Sequence, residues 1–450
     1  MNSGAQNDIT GRLTRKRANI FIITMLALAA IAVFMIVRGI SKAGILNYFV
    51  LFCIVGYTFF KALSDSFLFN PYLFFALTPI SLMIYDVGVS EHYLIELEQN
   101  TYNLVFWNFL CLLAGFALAK KYRVTIGKKE FVSKWAGTNT LSSKELSKHA
   151  WILIGLGMLP SLYGCLKGME YLLSLQLYSL KSVVVSMPLS SVFQLFIYPA
   201  VICAIFSRNK KTIFSVISLA VFSVAVNFSK TTIVMLSVTV LIAYYNSVAK
   251  ASRRKKTAFV LLLCAALVFF YFSFDIYNNM RHDYDTNKYF SSLGYIGNIS
   301  ENWFLVVMYL ISPWANLQHI VHTTQAHTWG LWAIKPFLGY LQLDTALENI
   351  YSLVPLHTAF NTYTFISPFY RDFGFWGSGL ESFILGIYIM RVYKLFKDNK
   401  KSPFVNSINA MVAYATVMLF FNNHFLQLSY PITIYIIMIL YRKFFVGKKP

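Results

Sequence analysis

Residues 103–129 read NLVFWNFLCLLAGFALAKKYRVTIGKK, an apolar run that ends in a cluster of lysine and arginine. As a helix, the apolar part from 103 to 119 is long enough to cross the hydrocarbon core of a bilayer. Basic residues directly after such a run are typical of the cytoplasmic side of a membrane. The stretch therefore predicts a transmembrane helix whose C-terminal end faces the cytoplasm.

The same pattern recurs along the chain, in which 57% of residues are hydrophobic and 13% are charged. Counting apolar runs of sufficient length predicts about twelve spans. They lie at about 18–37, 45–61, 70–85, 103–119, 150–166, 189–207, 212–228, 231–248, 257–274, 373–391, 404–421 and 426–441. The fold class predicted is an all-α polytopic integral membrane protein. The first run is too long for a signal peptide and is interpreted as a retained helix.

The charge distribution predicts the orientation. With both termini cytoplasmic, roughly 30 of the lysines and arginines fall inside and about 9 outside, while the acidic residues show the opposite bias. This arrangement accounts for the formal net charge of +21, because the excess lies at the cytoplasmic surface, where it meets anionic lipid headgroups. It gives no reason to expect a nucleic-acid partner.

Three regions follow from this topology. Residues 1–274 hold helices 1–9 with basic cytoplasmic loops, 275–372 form a large outer-face region, and 373–450 hold helices 10–12 with a basic tail. Function is expected in the outer region, since long connections in compact proteins are usually functional or disordered. Within it, 302–322 predicts an amphipathic or re-entrant segment; a double crossing through 303–343 is the alternative.

Metal and thiol chemistry find little support. The five cysteines lie in or beside apolar runs, and no CxxC occurs. His319, His322 and His327 resemble a metal site only weakly, since no further ligand stands at a defined spacing. We expect no metal and no cofactor.

Outer-face cations are rare, so Arg281 and Arg371 stand out as groups that could bind a lipid-linked diphosphate; pairing with a neighbouring aspartate is the structural alternative for each. Outer-face histidines and carboxylates near these arginines are candidates for a general base, and the sequence pattern does not choose among them. They are His282, Asp283, Asp285, His357 and Asp372. Glu381 is the clearest intramembrane acid and is expected to face the bundle interior.

The stretch FNTYTFISPFYRDFGFWG at 360–377 combines polar and planar side chains at the predicted outer edge of the membrane. Asn361 and Thr364 could hydrogen-bond sugar hydroxyls, and Tyr370 offers a flat apolar face. Lys230 in the hairpin NFSKTT could add positive charge, although a snorkelling lysine is the commoner outcome. The composition suits a lipid-anchored saccharide.

The run at 361–377 resembles the C-terminal signature of the O-antigen polymerase (Wzy) family of bacteria. YLISPWAN at 309–316 resembles a YL..P..N segment of that family, and RHD at 281–283 takes the place of its arginine-bearing outer loop. The matching positions are Asn361, Thr364, Pro368, Tyr370, Asp372 and Gly374, with Arg281 a weaker match. The organisation is similar over almost the whole chain.

The resemblance implies a lipid-donor glycosyltransferase of GT-C-like architecture in the bacterial inner membrane, with its active site facing the periplasm. It would transfer a glycan from undecaprenyl diphosphate to the non-reducing end of another lipid-linked repeat unit. Arg281 and Arg371 would bind the diphosphate, Asp372 or His282 would act as base, and Asn361, Thr364 and Tyr370 would hold the sugar. A co-polymerase that regulates chain length is the implied partner.

Two alternatives stay open. An O-antigen ligase shares the donor but passes the glycan to lipid A core. A repeat-unit flippase also has about twelve helices, but such transporters usually show related halves, and none are evident here.

Overall fold

The structure is a computed structural model, and the residues that it describes are almost entirely helical. They are 42–65, 70–88, 95–121, 142–174, 176–227, 230–248, 301–331, 334, 362–399 and 402–426. No strand occurs in these ranges. The predicted spans 18–37 and 257–274, and nearly all of 426–441, lie outside them.

Fourteen α-helices are numbered here in chain order, followed by short 3-10 turns at Met418–Phe420 and His424–Leu426. They are α1 Lys42–Ser64, α2 Pro71–Phe75, α3 Leu77–Gly88, α4 Gln99–Lys121, α5 Ser143–Lys167, α6 Met169–Leu173, α7 Leu177–Ser186, α8 Ser190–Gln194, α9 Ile197–Ser207, α10 Lys210–Asn227, α11 Lys230–Val248, α12 Glu301–Thr323, α13 Ile366–Asp398 and α14 Pro403–Val417.

Seven segments of the described chain are long and apolar enough to cross a membrane. They are Leu46–Ser64, Gln99–Lys121, Ser143–Lys167, Ser190–Ser207, Lys210–Asn227, Ile366–Asp398 and Pro403–Phe420. Each coincides with a predicted span, so the prediction of a polytopic helical membrane protein is confirmed at this coarser level. The count of twelve stays a prediction.

The predicted span at 70–85 corresponds to α2 and α3, which are separated by Ala76 alone. The Asn70 side chain caps α2 by accepting a hydrogen bond from the Leu73 amide at 3.1 Å, and Pro71 occupies the first turn, where its missing N–H costs nothing. Ala76 keeps right-handed helical dihedral angles, φ −57° and ψ −26°, and its amide donates to the Tyr72 carbonyl at 3.1 Å. Its own carbonyl accepts from the Ile80 amide at 3.3 Å, so helical hydrogen bonds continue across it.

The chain divides into two compact units. The first comprises 1–118, 308–390 and 416–423; the second comprises 119–307, 391–415 and 424–450. In the second unit, α5 packs against α7, α8, α9 and α10. There Gly157 lies so close to Ile197 that a Cβ atom would come within 2.7 Å of the isoleucine side chain. The candidate site lies in the first unit.

In the first unit, α4 and α13 pack along a seam of small residues. A Cβ atom at Gly115 would lie 2.3 Å from the Phe383 carbonyl oxygen, and one at Gly386 would lie 2.3 Å from that of Leu112. The Asn108 amide donates to Ser378 Oγ at 3.0 Å and accepts from Ser382 Oγ at 2.6 Å. Since these contacts advance together along both helices, α4 and α13 run parallel, as the predicted topology requires.

The predicted amphipathic or re-entrant segment at 302–322 is the continuous helix α12, with Pro313 inside it. From Ile311 to Gln318 every residue is buried, including Asn316. A helix lying on a membrane surface would expose one face, so the amphipathic reading does not describe this part of α12. Re-entry stays a prediction.

Candidate functional site

The structure brings together the two stretches that carried the family resemblance. The Asn316 side-chain amide, in α12, donates a 2.7 Å hydrogen bond to the Thr362 carbonyl oxygen at the approach to α13. Ser312 Oγ lies 3.5 Å from Thr362 Oγ1. The stretches at 309–316 and 361–377 therefore belong to one local structure, although about 45 residues separate them.

Three of the predicted site residues, Arg281, His282 and Asn361, lie outside the described residues. Thr364 is completely buried, and its hydroxyl faces Ser367 Oγ at 3.3 Å at the start of α13. In this conformation it shapes the helix entry instead of meeting a sugar. Tyr370 is half-buried, so its ring stays available for the predicted contact.

Asp372 is also completely buried. The Thr328 hydroxyl donates a short hydrogen bond to its carboxylate oxygen Oδ1. The neighbouring backbones pair as well: the Thr328 amide donates to the Arg371 carbonyl at 3.0 Å, and the Trp329 amide donates to the Asp372 carbonyl at 2.9 Å. These bonds fasten residues 328–329, which we call the strap, to the first turns of α13.

Gly374 explains why those carbonyls are free to accept. Its dihedral angles, φ 67° and ψ −160°, are non-helical, and they interrupt α13 after its first two turns. The break removes the intrahelical partners of nearby carbonyl groups, which must then be satisfied from elsewhere. Glycine is the residue that tolerates this region of backbone space. The strap supplies the missing donors.

Arg371 lies on the same turn and is half-buried. One guanidinium nitrogen, Nη1, donates to the Ala326 carbonyl at 3.3 Å. This bond holds the guanidinium group of Arg371 next to Ala326, the residue before His327 in the chain.

His327 packs against the break in α13. A Cβ atom on Gly374 would lie 2.7 Å from His327 Nε2, so only glycine leaves room for the imidazole. The ring meets Tyr370 edge to face, with centroids 5.7 Å apart. Among the described residues, the enclosed Nδ1 has no hydrogen-bond partner. The sequence pattern indicated His327 only as a weak metal ligand, and nothing in the residues around it predicted its packing against Gly374 and Tyr370.

Glu381 lies further along α13, inside a candidate span. It is half-buried, its Oε2 is enclosed without a hydrogen-bond partner, and it is close enough to Asp372 to interact electrostatically. The two carboxylates thus share one region of the first unit. The partial burial of Glu381 agrees with the expectation that its side chain faces the bundle interior.

Large aromatic side chains surround this end of α13. Trp329 and Trp376 are 78% and 72% exposed, which is unusual for tryptophan outside an interface. Trp376 also meets the Trp107 ring at 5.3 Å between centroids. Exposed tryptophans at the end of an apolar helix are typical of the headgroup level of a membrane, the depth at which a lipid-linked diphosphate lies.

A second polar cluster in the first unit was not predicted. The Tyr102 hydroxyl donates a short hydrogen bond to Asp86 Oδ1. Asp86 Oδ2 and the Tyr48 hydroxyl are both enclosed, and neither has a hydrogen-bond partner among the residues that the structure describes. Burial raises the pKa of Asp86 to about 7, and the bond from Tyr102 opposes part of that rise. The only sequence signal was an acid directly after the apolar run at 70–85.

Nearby, α12 is tied to the start of α4. The Glu98 amide donates to Gln318 Oε1 at 3.0 Å, and His322 Nε2 lies 3.0 Å from Glu98 Oε1. His322 Nε2 also lies 2.6 Å from Gln318 Nε2. Of the three histidines that resembled a metal site in the sequence, His322 therefore contacts the start of α4, whereas His327 packs against α13.

Among the described residues, no group of three or more His, Cys, Asp or Glu side chains could hold a metal ion. Comparison of the chain with protein-family models, with curated proteins and with solved structures finds no match.

Proposed function

We propose that the protein is a membrane glycosyltransferase that polymerises lipid-linked oligosaccharide repeat units, with undecaprenyl diphosphate as the leaving group. The observation that carries the proposal is Arg371. It is a half-buried cation, fixed by the Ala326 carbonyl at the entry of a candidate span and beside the exposed Trp329. A fixed guanidinium at headgroup depth suits a diphosphate.

The reaction consists of one displacement. A hydroxyl oxygen of the acceptor sugar attacks the anomeric carbon of the donor glycan, and the bond from that carbon to the diphosphate oxygen breaks. The leaving diphosphate gains negative charge as the bond breaks, so a cation already in place lowers the barrier. Arg371 takes this role, with Arg281 as the predicted second cation.

The hydroxyl proton passes to a base. His282 keeps that role in the proposal and lies outside the described residues. Asp372 has no exposed surface, and its carboxylate accepts from Thr328. We therefore assign Asp372 the positioning of the strap, and hence of Ala326 and His327, and not proton transfer. His327 joins His282 as a candidate base because its ring packs against Tyr370 and Gly374 and it directly follows Ala326, whose carbonyl accepts from Arg371.

The deciding experiment deletes the gene in its native host and resolves the surface polysaccharide on a gel. Collapse of a ladder to a single-repeat band supports polymerisation. Loss of every band contradicts it and points to ligation or export. Complementation with Arg371→Ala should lower polymer formation about 100-fold, the scale expected when one group that stabilises the transition state is removed.

The matched control is Arg391→Ala, which lies later in α13, beyond the interruption at Gly374. It should restore the ladder. Equal ladders from Arg371→Ala and Arg391→Ala, at equal protein levels, would exclude the assigned role of Arg371.

A further inference from the structure

The cluster around Asp86 lies at an unfavourable place for a negative charge. Asp86 is in the last turn of α3, which ends at Gly88. The carbonyl groups at a helix C-terminus create a negative field, which favours cations and disfavours carboxylates. Burial of the carboxylate adds to this cost. A cation bound at this point would offset both the negative field of the helix C-terminus and the cost of burying the carboxylate.

The hydrogen bonds of the cluster leave room for such a species. Oδ1 of Asp86 accepts from Tyr102, but within the described chain Oδ2 has no partner and is enclosed. The Tyr48 hydroxyl is enclosed and unpartnered too, and it lies close enough to Asp86 to interact electrostatically. Tyr48 and Tyr102 are 7% and 9% exposed. A buried polar group left without a partner destabilises the folded state, so the pair indicates a ligand that both oxygens contact.

The three oxygen-bearing side chains come from three helices, α1, α3 and α4, and other bonds hold these in place. Asn47 and Gln99 exchange two amide hydrogen bonds of 3.2 Å between α1 and α4. The Tyr85 hydroxyl donates to the Ile95 carbonyl ahead of α4. Among the described residues, the exposed Glu96 is a further charged group near this cluster, and it interacts electrostatically with Tyr85.

We propose that Asp86, Tyr48 and Tyr102 form a binding site for one Na⁺ ion. The donors are all oxygens, which hard cations prefer. A single carboxylate balances a single positive charge, whereas a divalent ion would be left undercompensated. The site does not depend on the proposed glycosyltransferase activity and is tested without it.

The test measures thermal unfolding of the full-length protein in detergent at pH 8, with NaCl exchanged for choline chloride at constant ionic strength. Na⁺ should raise Tm in a saturable manner. Asp86→Asn should remove the increment, and Tyr48→Phe should weaken the apparent Na⁺ affinity about tenfold. Glu170→Gln removes an exposed carboxylate elsewhere in the chain and should keep the wild-type increment.

An equal Tm in NaCl and choline chloride, or an unchanged increment in Asp86→Asn, overturns the proposal. If Asp86→Asn does not fold, binding of ²²Na⁺ to wild type and to Tyr48→Phe decides: saturable binding that Tyr48→Phe weakens supports the site, and its absence overturns it. A KCl series separates Na⁺ binding from a general effect of alkali ions, and an equal K⁺ increment at equal concentration overturns the assignment to Na⁺.

Discussion

Thr328 donates a hydrogen bond to Asp372, 44 residues later in the chain, and both side chains are buried. Through this bond and two backbone bonds, the strap is fastened to the interrupted start of α13. The Arg371 head group bonds to the Ala326 carbonyl, two residues before the strap. The strap and the cation of the candidate site are therefore one structural unit.

Thr328→Val should loosen the strap. The substitution keeps the shape of the side chain but leaves the Asp372 carboxylate buried without its donor, which should cost about 1–3 kcal/mol of stability. Thermal unfolding in detergent measures the loss, and limited proteolysis measures opening of residues 324–331. Thr323→Val is the control, because the Thr323 hydroxyl bonds to its own helix at an exposed position. Equal behaviour of the two variants would contradict the structural role of Thr328.

Gly374→Ala should destabilise the protein for two separable reasons. The left-handed φ of 67° strains any residue with a Cβ, and that Cβ would lie 2.7 Å from His327 Nε2. Together we expect a loss of about 2–4 kcal/mol. In a double variant with His327→Ala the steric part should disappear and the backbone part should remain. If the double variant is as unstable as the sum of the two single variants, the contact is not the cause.

The seam between α4 and α13 gives a third prediction. Gly386→Ala places a methyl group 2.3 Å from the Leu112 carbonyl oxygen, a backbone atom that cannot turn aside. We expect a loss of about 1–3 kcal/mol, measured by thermal unfolding. Gly155→Ala, where nothing lies within 4 Å of the new atom, should be neutral or stabilising by up to about 1 kcal/mol. A neutral Gly386→Ala would refute the close approach of the helices.

The raised pKa of Asp86 predicts a pH dependence of stability in buffers free of alkali ions. The pKa of Asp86 in the folded protein, about 7, lies above the ordinary value of 3.8 for an aspartate. Between these values the folded state binds more protons than the unfolded state, so this group's contribution to stability falls as pH rises from about 4 to 7 and is constant above.

Asp86→Asn cannot titrate and should remove that component, which makes it more stable than wild type at pH 8 when Na⁺ is absent. The measurement is the difference in Tm between wild type and variant from pH 4 to 8. Glu170→Gln should show no such trend relative to wild type. A flat difference for Asp86→Asn would show that burial does not shift this group.

Much of the local structure followed from the sequence. The bounds of α1, α4, α5 and α10 lie close to the predicted spans, because apolar length and flanking charge are local properties of a membrane helix. The burial of Asn316 and Gln318 escaped prediction, since polar residues in α12 suggested an exposed face that neighbouring helices in fact cover.

The sequence by itself determined the class of protein, the position of its apolar helices and the concentration of polar and aromatic residues around Arg371. Each of these is encoded in one continuous stretch. Only the tertiary structure decided that Asp372 is enclosed by Thr328, that His327 occupies the space left by Gly374, and that Tyr48 and Tyr102 converge on Asp86. Such pairings depend on how separate helices pack, and no local periodicity records which distant side chain will fill a given space.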